Sequence, residues 1–285
     1  MNRRDFSKFC LASAATMAAG GLHAKAHADS SKASQPDSGT REGKPHISFL
    51  LYEGMTALDL VGPAEVLAGD QFTVDYVWRD MTPVYAETRA DRRLGFMPTA
   101  TFADVSRTDI LCVPGTSNPY RQILEDDIID WVSRVGGSAS WVTSVCTGSF
   151  ILGAAGLLKG YRATSHWTVL DELRYFGAVS TAERVVRDRN RVTGAGVSSG
   201  IDFGLFLLAL LLDSDTAKTK QLLLEYDPEP PFTSGSPKTA APELVERVGA
   251  MYAANVRKNI PYAASSLARA AGRLGIEMPG AAVSP

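Results

Sequence analysis

The stretch Trp141-Val142-Thr143-Ser144-Val145-Cys146-Thr147-Gly148-Ser149-Phe150-Ile151-Leu152-Gly153-Ala154-Ala155-Gly156 decides the fold. A β-prone run from Trp141 to Ser144 leads directly into Val145-Cys146-Thr147-Gly148, and small and apolar residues with helical spacing follow. A strand that ends in cysteine and turns at once into a helix through small residues is the layout of a nucleophile elbow. The sharp turn lifts the side chain clear of the sheet, and Thr147, Gly148 and Ser149 let the helix begin without a clash. The helix would start at the sulfur, so its unpaired N–H groups and positive end would favour a thiolate and draw the pKa below that of a free thiol. A lone cysteine is otherwise most often a small core residue. The elbow context turns the reading towards chemistry.

Outward from the elbow, strands and helices alternate. Residues 46–52, H-I-S-F-L-L-Y, form a continuous apolar run of strand length, suited to the middle of a parallel sheet. Residues 58–63, L-D-L-V-G-P, lead into a helix to 69, with Pro63 expected in its first turn. Residues 71–79 place Phe72, Val74, Tyr76 and Trp78 at alternate positions, a second strand, and 81–98 read as hairpin strands. Residues 109–113, D-I-L-C-V, read as a buried strand closed by Pro114-Gly115, with Cys112 inside it as a structural residue. Helices are expected over 122–135, from the elbow to 158, from His166 to 176, and over 203–212 and 215–226. Residues 183–187 and 191–193 read as short strands.

Gly194, Gly196 and Gly200 imitate a dinucleotide fingerprint, but the spacing is one residue too long and no acidic residue follows in a βαβ unit. They read instead as sites of close packing. Two amphipathic tail helices follow at 242–256 and 262–274, the last expected to attach loosely. The alternation predicts an α/β fold: a three-layer sandwich with a mostly parallel central sheet and a cysteine nucleophile elbow. Sites in such sheets form beyond the carboxyl ends of the strands, where Asp59, Gly115 and Cys146 would emerge.

The composition excludes several classes. Of 285 residues 45% are hydrophobic and 21% charged, with a formal net charge of -2. That is an ordinary globular balance, without the basic footprint of a nucleic-acid binder. The three cysteines, Cys10, Cys112 and Cys146, form no C-x-x-C pair and only four histidines are present, so metal-ligand spacing is lacking. No metal and no cofactor is expected.

The organisation reads in four parts. Residues 1–28 combine Arg3-Arg4-Asp5-Phe6-Ser7-Lys8, a weakly apolar run from 9 to 22, and a small-residue cleavage site ending at Ala28 or Ala26. This pattern reads as a twin-arginine signal, which implies the export machinery as partner, a periplasmic location and no stable membrane insertion after cleavage. Residues 29–45 are a Ser-, Lys- and Gly-rich linker, 46–241 the main domain, and 242–285 a helical tail. Removal of the signal would leave two cysteines in an oxidising compartment.

V-C-T-G-S-F-I-L-G-A-A-G-L-L-K-G-Y-R-A-T-S-H-W, from Val145 to Trp167, resembles the ThiJ/PfpI superfamily, the class I glutamine amidotransferase-like fold. Within it, the branch of bacterial isonitrile (isocyanide) hydratases is most similar. L-D-L-V-G-P at 58–63, E-R-V-V-R-D at 183–188, G-I-D-F at 200–203 and L-E-Y-D-P-E-P-P-F-T-S-G-S-P at 224–237 carry the likeness to about residue 242. The last of these is the most specific to the hydratase-like branch. The resemblance implies Cys146 as nucleophile, Asp59 as acid/base carboxylate, Thr147 hydrogen-bonding in the site, and a homodimer.

It also implies that backbone N–H groups of Gly115, Thr116 and Thr147 stabilise developing charge. Here the run Pro114-Gly115-Thr116-Ser117-Asn118-Pro119 departs from the branch, which has a second glycine where Thr116 stands. Thr147 replaces the histidine that follows the cysteine in peptidase-like members, which argues against amide hydrolysis. Asp59 would otherwise be a helix-terminal carboxylate worth about 1 kcal/mol. His166, at a helix start, reads as structural.

The chemistry implied is water addition to a small isonitrile through a thioimidate on Cys146, giving an N-substituted formamide. The competing reading is an exported redox or ligand sensor using the same cysteine. A transcription regulator, with a domain of this kind ahead of a helix-turn-helix module, would need far more chain than the tail supplies.

Overall fold

In β1, His46–Leu50, the last four residues are buried in succession. The same holds for all four residues of β6, Ile110–Val113, and β11, Arg191–Gly194, and for the last four of β7, Trp141–Val145. Side chains alternate between the two faces of a strand, so unbroken burial requires cover on both sides of the sheet. The computed structural model of the chain, which describes residues 43–86 and 94–277, supplies that cover. The twin-arginine segment and nearly all of the linker lie outside the described residues.

Seven strands form the central sheet in the order β10-β11-β7-β6-β1-β2-β5, with β2 at Thr73–Trp78, β5 at Ala100–Thr101 and β10 at Val185–Asp188. All neighbours pair parallel except the β10–β11 hairpin. The fold is therefore α/β with a mostly parallel sheet. From β1 the chain runs to β2 on one side, then returns to place β6 on the other. This reversal opens a crevice beyond the ends of β1 and β6, the place where such sheets bind ligands.

One group of helices packs α1, Ala57–Leu67, on α5, Ser199–Leu211, with α6, Ser214–Leu223, beside α5. Close approach depends on Gly204, where a Cβ would sit 2.9 Å from Val66 Cβ, and on Gly200, where it would meet Pro63 Cδ at 3.2 Å. Among the dinucleotide-like glycines, Gly200 packs on Pro63 and a Cβ at Gly194 would lie 3.1 Å from Ser199 Oγ and 3.2 Å from Phe203 Cβ, so both are packing sites. A second group comprises the short α2, Pro119–Gln122, then α3, Asp126–Ser138, and the elbow helix α4, Gly148–Ala154. Hairpin strands β3, Val84–Tyr85, and β4, Gly95–Phe96, lie apart from the main sheet.

Several local expectations change. Helix α1 begins at Ala57, so Pro63 lies inside it and not in its first turn. Proline has no N–H to give to the carbonyl four residues back, which belongs to Asp59. The single helix expected over 122–135 is split into α2 and α3. Residues after His166 form a 3-10 helix, Trp167–Phe176, whose opening aromatic and β-branched residues are poor α-helix formers. Strands β5, β8 (Arg162–Ala163) and β9 (Val179–Ser180) have only two residues each and leave no sequence pattern.

The tail forms α7, Pro242–Asn259, and α8, Ala263–Arg273. Helix α8 buries Leu267, Ala270 and Ala271 against α2 and the 3-10 helix. Arg269 pairs with Asp126 at 3.1 Å, Arg273 reaches the same carboxylate, and Lys159 Nζ donates to the carbonyl of Leu274 at 3.0 Å. The last helix is therefore fastened to the domain and not loosely attached.

Candidate active site

Cys146 follows directly on β7 with φ 57°, left-handed backbone that a non-glycine residue adopts at a cost of about 1–2 kcal/mol. The strain is held from both sides. Its N–H donates to the carbonyls of Gly194 at 3.0 Å and Ala195 at 2.8 Å. Its carbonyl accepts from the hydroxyls of Ser149 at 3.1 Å and Ser165 at 3.2 Å. At Gly148 an added Cβ would lie 2.2 Å from the carbonyl oxygen of Val113, so only glycine lets α4 start here.

Asp59 stands in the first turn of α1, yet its carboxylate does not cap that helix. Oδ2 accepts from the N–H of Gly115 at 2.9 Å, across the crevice, and the residue is 1% exposed. Cys146, 4% exposed, shares a hydrogen bond with this carboxylate. Thr147 donates from Oγ1 to the carbonyl of Thr116 at 2.7 Å and accepts the N–H of Thr116 at 2.8 Å. Its own N–H and its hydroxyl both face the sulfur. The structure thus brings Asp59, Gly115, Thr116, Cys146 and Thr147 together.

The roles within that group differ from the expectation in two respects. The N–H groups of Gly115 and Thr116 are occupied by Asp59 and Thr147, so of the three backbone donors it is Thr147 that faces the sulfur. These two amides shape the site by fixing side chains. Secondly, the Cys146 thiol is pushed up, well above its ordinary value and not below it. Burial is the main cause and the Asp59 charge the next; the Thr147 groups act in the lowering direction without prevailing. Helix α4 has only seven residues, a weak opponent of a carboxylate in contact with the thiol.

Thr116, where the resemblance led us to expect glycine, does not loosen the loop. Its Oγ1 donates to the carbonyl of Gly54 at 2.7 Å and it bridges to Met55, while Thr56 N–H donates to the Gly115 carbonyl at 2.7 Å. Tyr52 Oη adds a bond to the Pro114 carbonyl at 2.7 Å. Cys112 is fully enclosed, receives a bond from Thr143 Oγ1 at 3.1 Å, and has its thiol pushed up to about 12 by burial. It is structural, as read. His166 caps the 3-10 helix through Nδ1, and burial lowers its pKa. It contributes no base to the thiol.

Sequence reading missed a polar cluster beside the elbow helix, where the Tyr120 ring meets Phe150. Tyr120 donates to Glu172 Oε1 at 3.0 Å and shares a hydrogen bond with Tyr252 of α7. Tyr252 also bonds Thr168, and a charge on Cys146 would oppose its ionisation. Its phenol is held at about 12, chiefly by burial. An amphipathic tail helix carries no mark that its one tyrosine turns inward. Tyr52 had a usable signal, its place at the carboxyl end of β1.

Comparison with known proteins places this geometry. Residues 45–210 match the model of the DJ-1/PfpI family. The chain is 46% identical over 201 residues to the isonitrile hydratase of Pseudomonas putida, covering 70% of this chain and 86% of that protein. A solved ThiJ/PfpI family protein from Pseudomonas syringae superposes with a TM-score of 0.72 at 40% identity, over 81% of this chain and 91% of its own. An HTH-type transcriptional regulator of Pseudomonas aeruginosa is 28% identical over 165 residues, 56% of this chain and 49% of that protein. By fold, sequence and the elbow at Cys146, the chain belongs to the DJ-1/PfpI family.

Proposed function

We propose that the protein is an isonitrile hydratase, adding water to an isonitrile to give an N-substituted formamide. The hydrogen-bonded pair of Cys146 and Asp59 carries the reading. The resting pair is a thiol beside a carboxylate, one proton shared between two groups. As the sulfur attacks the terminal isonitrile carbon, Asp59 takes the thiol proton and passes it to that carbon. An S–C bond and a C–H bond form, leaving a thioimidate, Cys146–S–CH=N–R. Asp59, again a carboxylate, accepts a proton from water as its oxygen adds to the same carbon. The adduct's hydroxyl proton moves to nitrogen, collapse breaks the C–S bond, and Asp59 returns its proton to sulfur as the formamide leaves.

The 46% identity to a hydratase supports this choice of substrate. The raised thiol also supports it over the sensor reading, because oxidation follows thiolate character and exposure, and Cys146 has little of either. We further infer that the chain is exported by the twin-arginine route to the periplasm, on the pattern of residues 1–28, and works there as a homodimer. An apolar face supports the dimer: Leu58 and Val61 are exposed on α1, and with Ile201, Leu224 and Tyr226 they border a cavity of about 220 Å³.

The test is turnover of a simple organic isonitrile, such as cyclohexyl isocyanide, by the full chain under reducing conditions, with formamide followed. Turnover that Cys146→Ala abolishes is the expected result. A folded wild-type protein with a titratable Cys146 and no formamide would overturn the assignment.

A further inference from the structure

Four of the segments that carry the family likeness meet at one place on the side of the domain formed by α1 and α5. Leu58, Val61 and Gly62 come from L-D-L-V-G-P, Ile201 from G-I-D-F, and Leu224 and Tyr226 from the proline-rich stretch. All six border the cavity of about 220 Å³. The fourth segment, E-R-V-V-R-D, supplies Arg184, whose Nε donates to Asp202 Oδ2 at 2.8 Å. Tyr226 Oη donates to the same oxygen at 3.1 Å, which ties the end of the lining to α5.

From Asp227 the chain leaves the body. Every residue from 227 to 235 is exposed, and Phe232 is 78% exposed. Pro228, Pro230, Pro231 and Pro237 stiffen this arm, so little of its freedom is left to lose on docking. Its phenyl ring is in water although the arm is rooted at the rim of an apolar cavity. An apolar cavity of about 150 Å³ holds benzene, so the cavity beside Tyr226 has room for such a ring.

The occupant that fits is the arm of a second copy of this chain. In a twofold interface the same patch serves both subunits, so each arm enters the other's cavity. Tyr226 is both the root of the arm and part of the cavity wall, so an axis beside it brings both arms over both cavities. Phe232 stands six residues beyond Tyr226, a reach of up to about 20 Å. The area suffices as well. Leu58, Val61, Phe206, Leu222, Leu223 and Phe232 are 41% to 82% exposed. Together they offer roughly 700 Å² of apolar surface, against the about 800 Å² per partner of a standard interface.

The ring would press on the helix that carries Asp59. Pro63 cannot give the helical N–H to the Asp59 carbonyl, so this turn of α1 has fewer bonds of its own and leans more on packing. On the inner side α5 supplies that packing: a Cβ on Gly62 would stand 3.4 Å from Ile201 Cγ1, and one on Gly200 3.6 Å from the Leu58 carbonyl oxygen. On the outer side Leu58 and Val61 face solvent. We propose that Phe232 of the partner subunit seats in the cavity between α1 and α5 and is a positioning residue for Asp59, so that each active site is completed by the other chain. The catalytic part of this inference rests on the hydratase reading.

The test is complementation between chains, following cyclohexyl isocyanide turnover under reducing conditions after subunit exchange. Phe232→Ala removes a ring that its own chain leaves exposed, so it should fold as wild type. It should still lose about tenfold in turnover per chain, within what a slightly misplaced catalytic group costs. A large excess of Cys146→Ala, inert itself but carrying its own Phe232, should restore that turnover, because a mixed pair seats an intact ring beside an intact thiol. Val61→Glu, which obstructs the cavity of the active chain, should also lose turnover, and Cys146→Ala should not restore it. Phe232→Ala within about twofold of wild type, no restoration, or equal restoration of both variants would overturn the proposal. An inactive wild type would instead sink the hydratase reading. The seat is then read from iodoacetamide alkylation of Cys146, whose pH inflection should fall in Phe232→Ala as Asp59 loosens and return when Cys146→Ala is added. An inflection that does not fall, or does not return, would overturn the seat.

Discussion

The carboxylate of Asp59 and the backbone N–H of Gly115 meet at 2.9 Å across the crevice where the sheet order reverses. Asp59 stands on α1, after β1, and Gly115 follows β6, so this bond ties the two connections together beside Cys146. Gly115 is held to glycine by its neighbours. A Cβ there would lie 2.6 Å from Thr147 N and 2.8 Å from both Asp59 Oδ2 and Thr147 Oγ1. Gly115→Ala is expected to cost about 1–3 kcal/mol of stability, as overpacking does, and to lower turnover far more than that loss accounts for. Thermal unfolding beside isonitrile turnover checks this; equal stability and activity to wild type would contradict it.

Asp59 raises the Cys146 thiol through its charge and its hydrogen bond. Asp59→Asn removes the charge, so the thiolate should form at lower pH. The rate of iodoacetamide alkylation of Cys146 follows the thiolate, and its inflection should move to lower pH in the variant while turnover falls. An inflection that stays in place or rises would show that burial alone sets the thiol.

The apolar face around Leu58 and Val61 should be covered by a second copy of the chain. Light scattering on the eluting protein should give twice the chain mass, and Leu58→Asp should return it towards the monomer. A wild-type protein that runs as a monomer at micromolar concentration would remove the homodimer from the proposal.

Local chemistry carried much of this architecture. The mostly apolar runs at Ile47 to Leu51 and Ile110 to Val113 announce strands covered on both faces, and the Cys146-Thr147-Gly148 turn announces the elbow. Properties set by distant parts of the chain were not legible. The two-residue strands β5, β8 and β9 exist only through pairing. The direction of the Cys146 shift depends on how closely Asp59 approaches and how deeply the sulfur is enclosed, and neither is a property of the elbow segment. The occupied N–H groups of Gly115 and Thr116 follow from residues far away in sequence, Asp59 and Thr147. Tyr252 turns inward to bond Tyr120 and Thr168, which no periodicity in α7 reveals.

The left-handed backbone at Cys146 carries a consequence for how this chain has been shaped. Glycine would occupy φ 57° without the steric strain that cysteine bears there. Backbone ease alone would favour glycine at this position. Site 146 thus sets side chain against backbone ease, and a laboratory screen for heat resistance would tend to replace Cys146 by glycine.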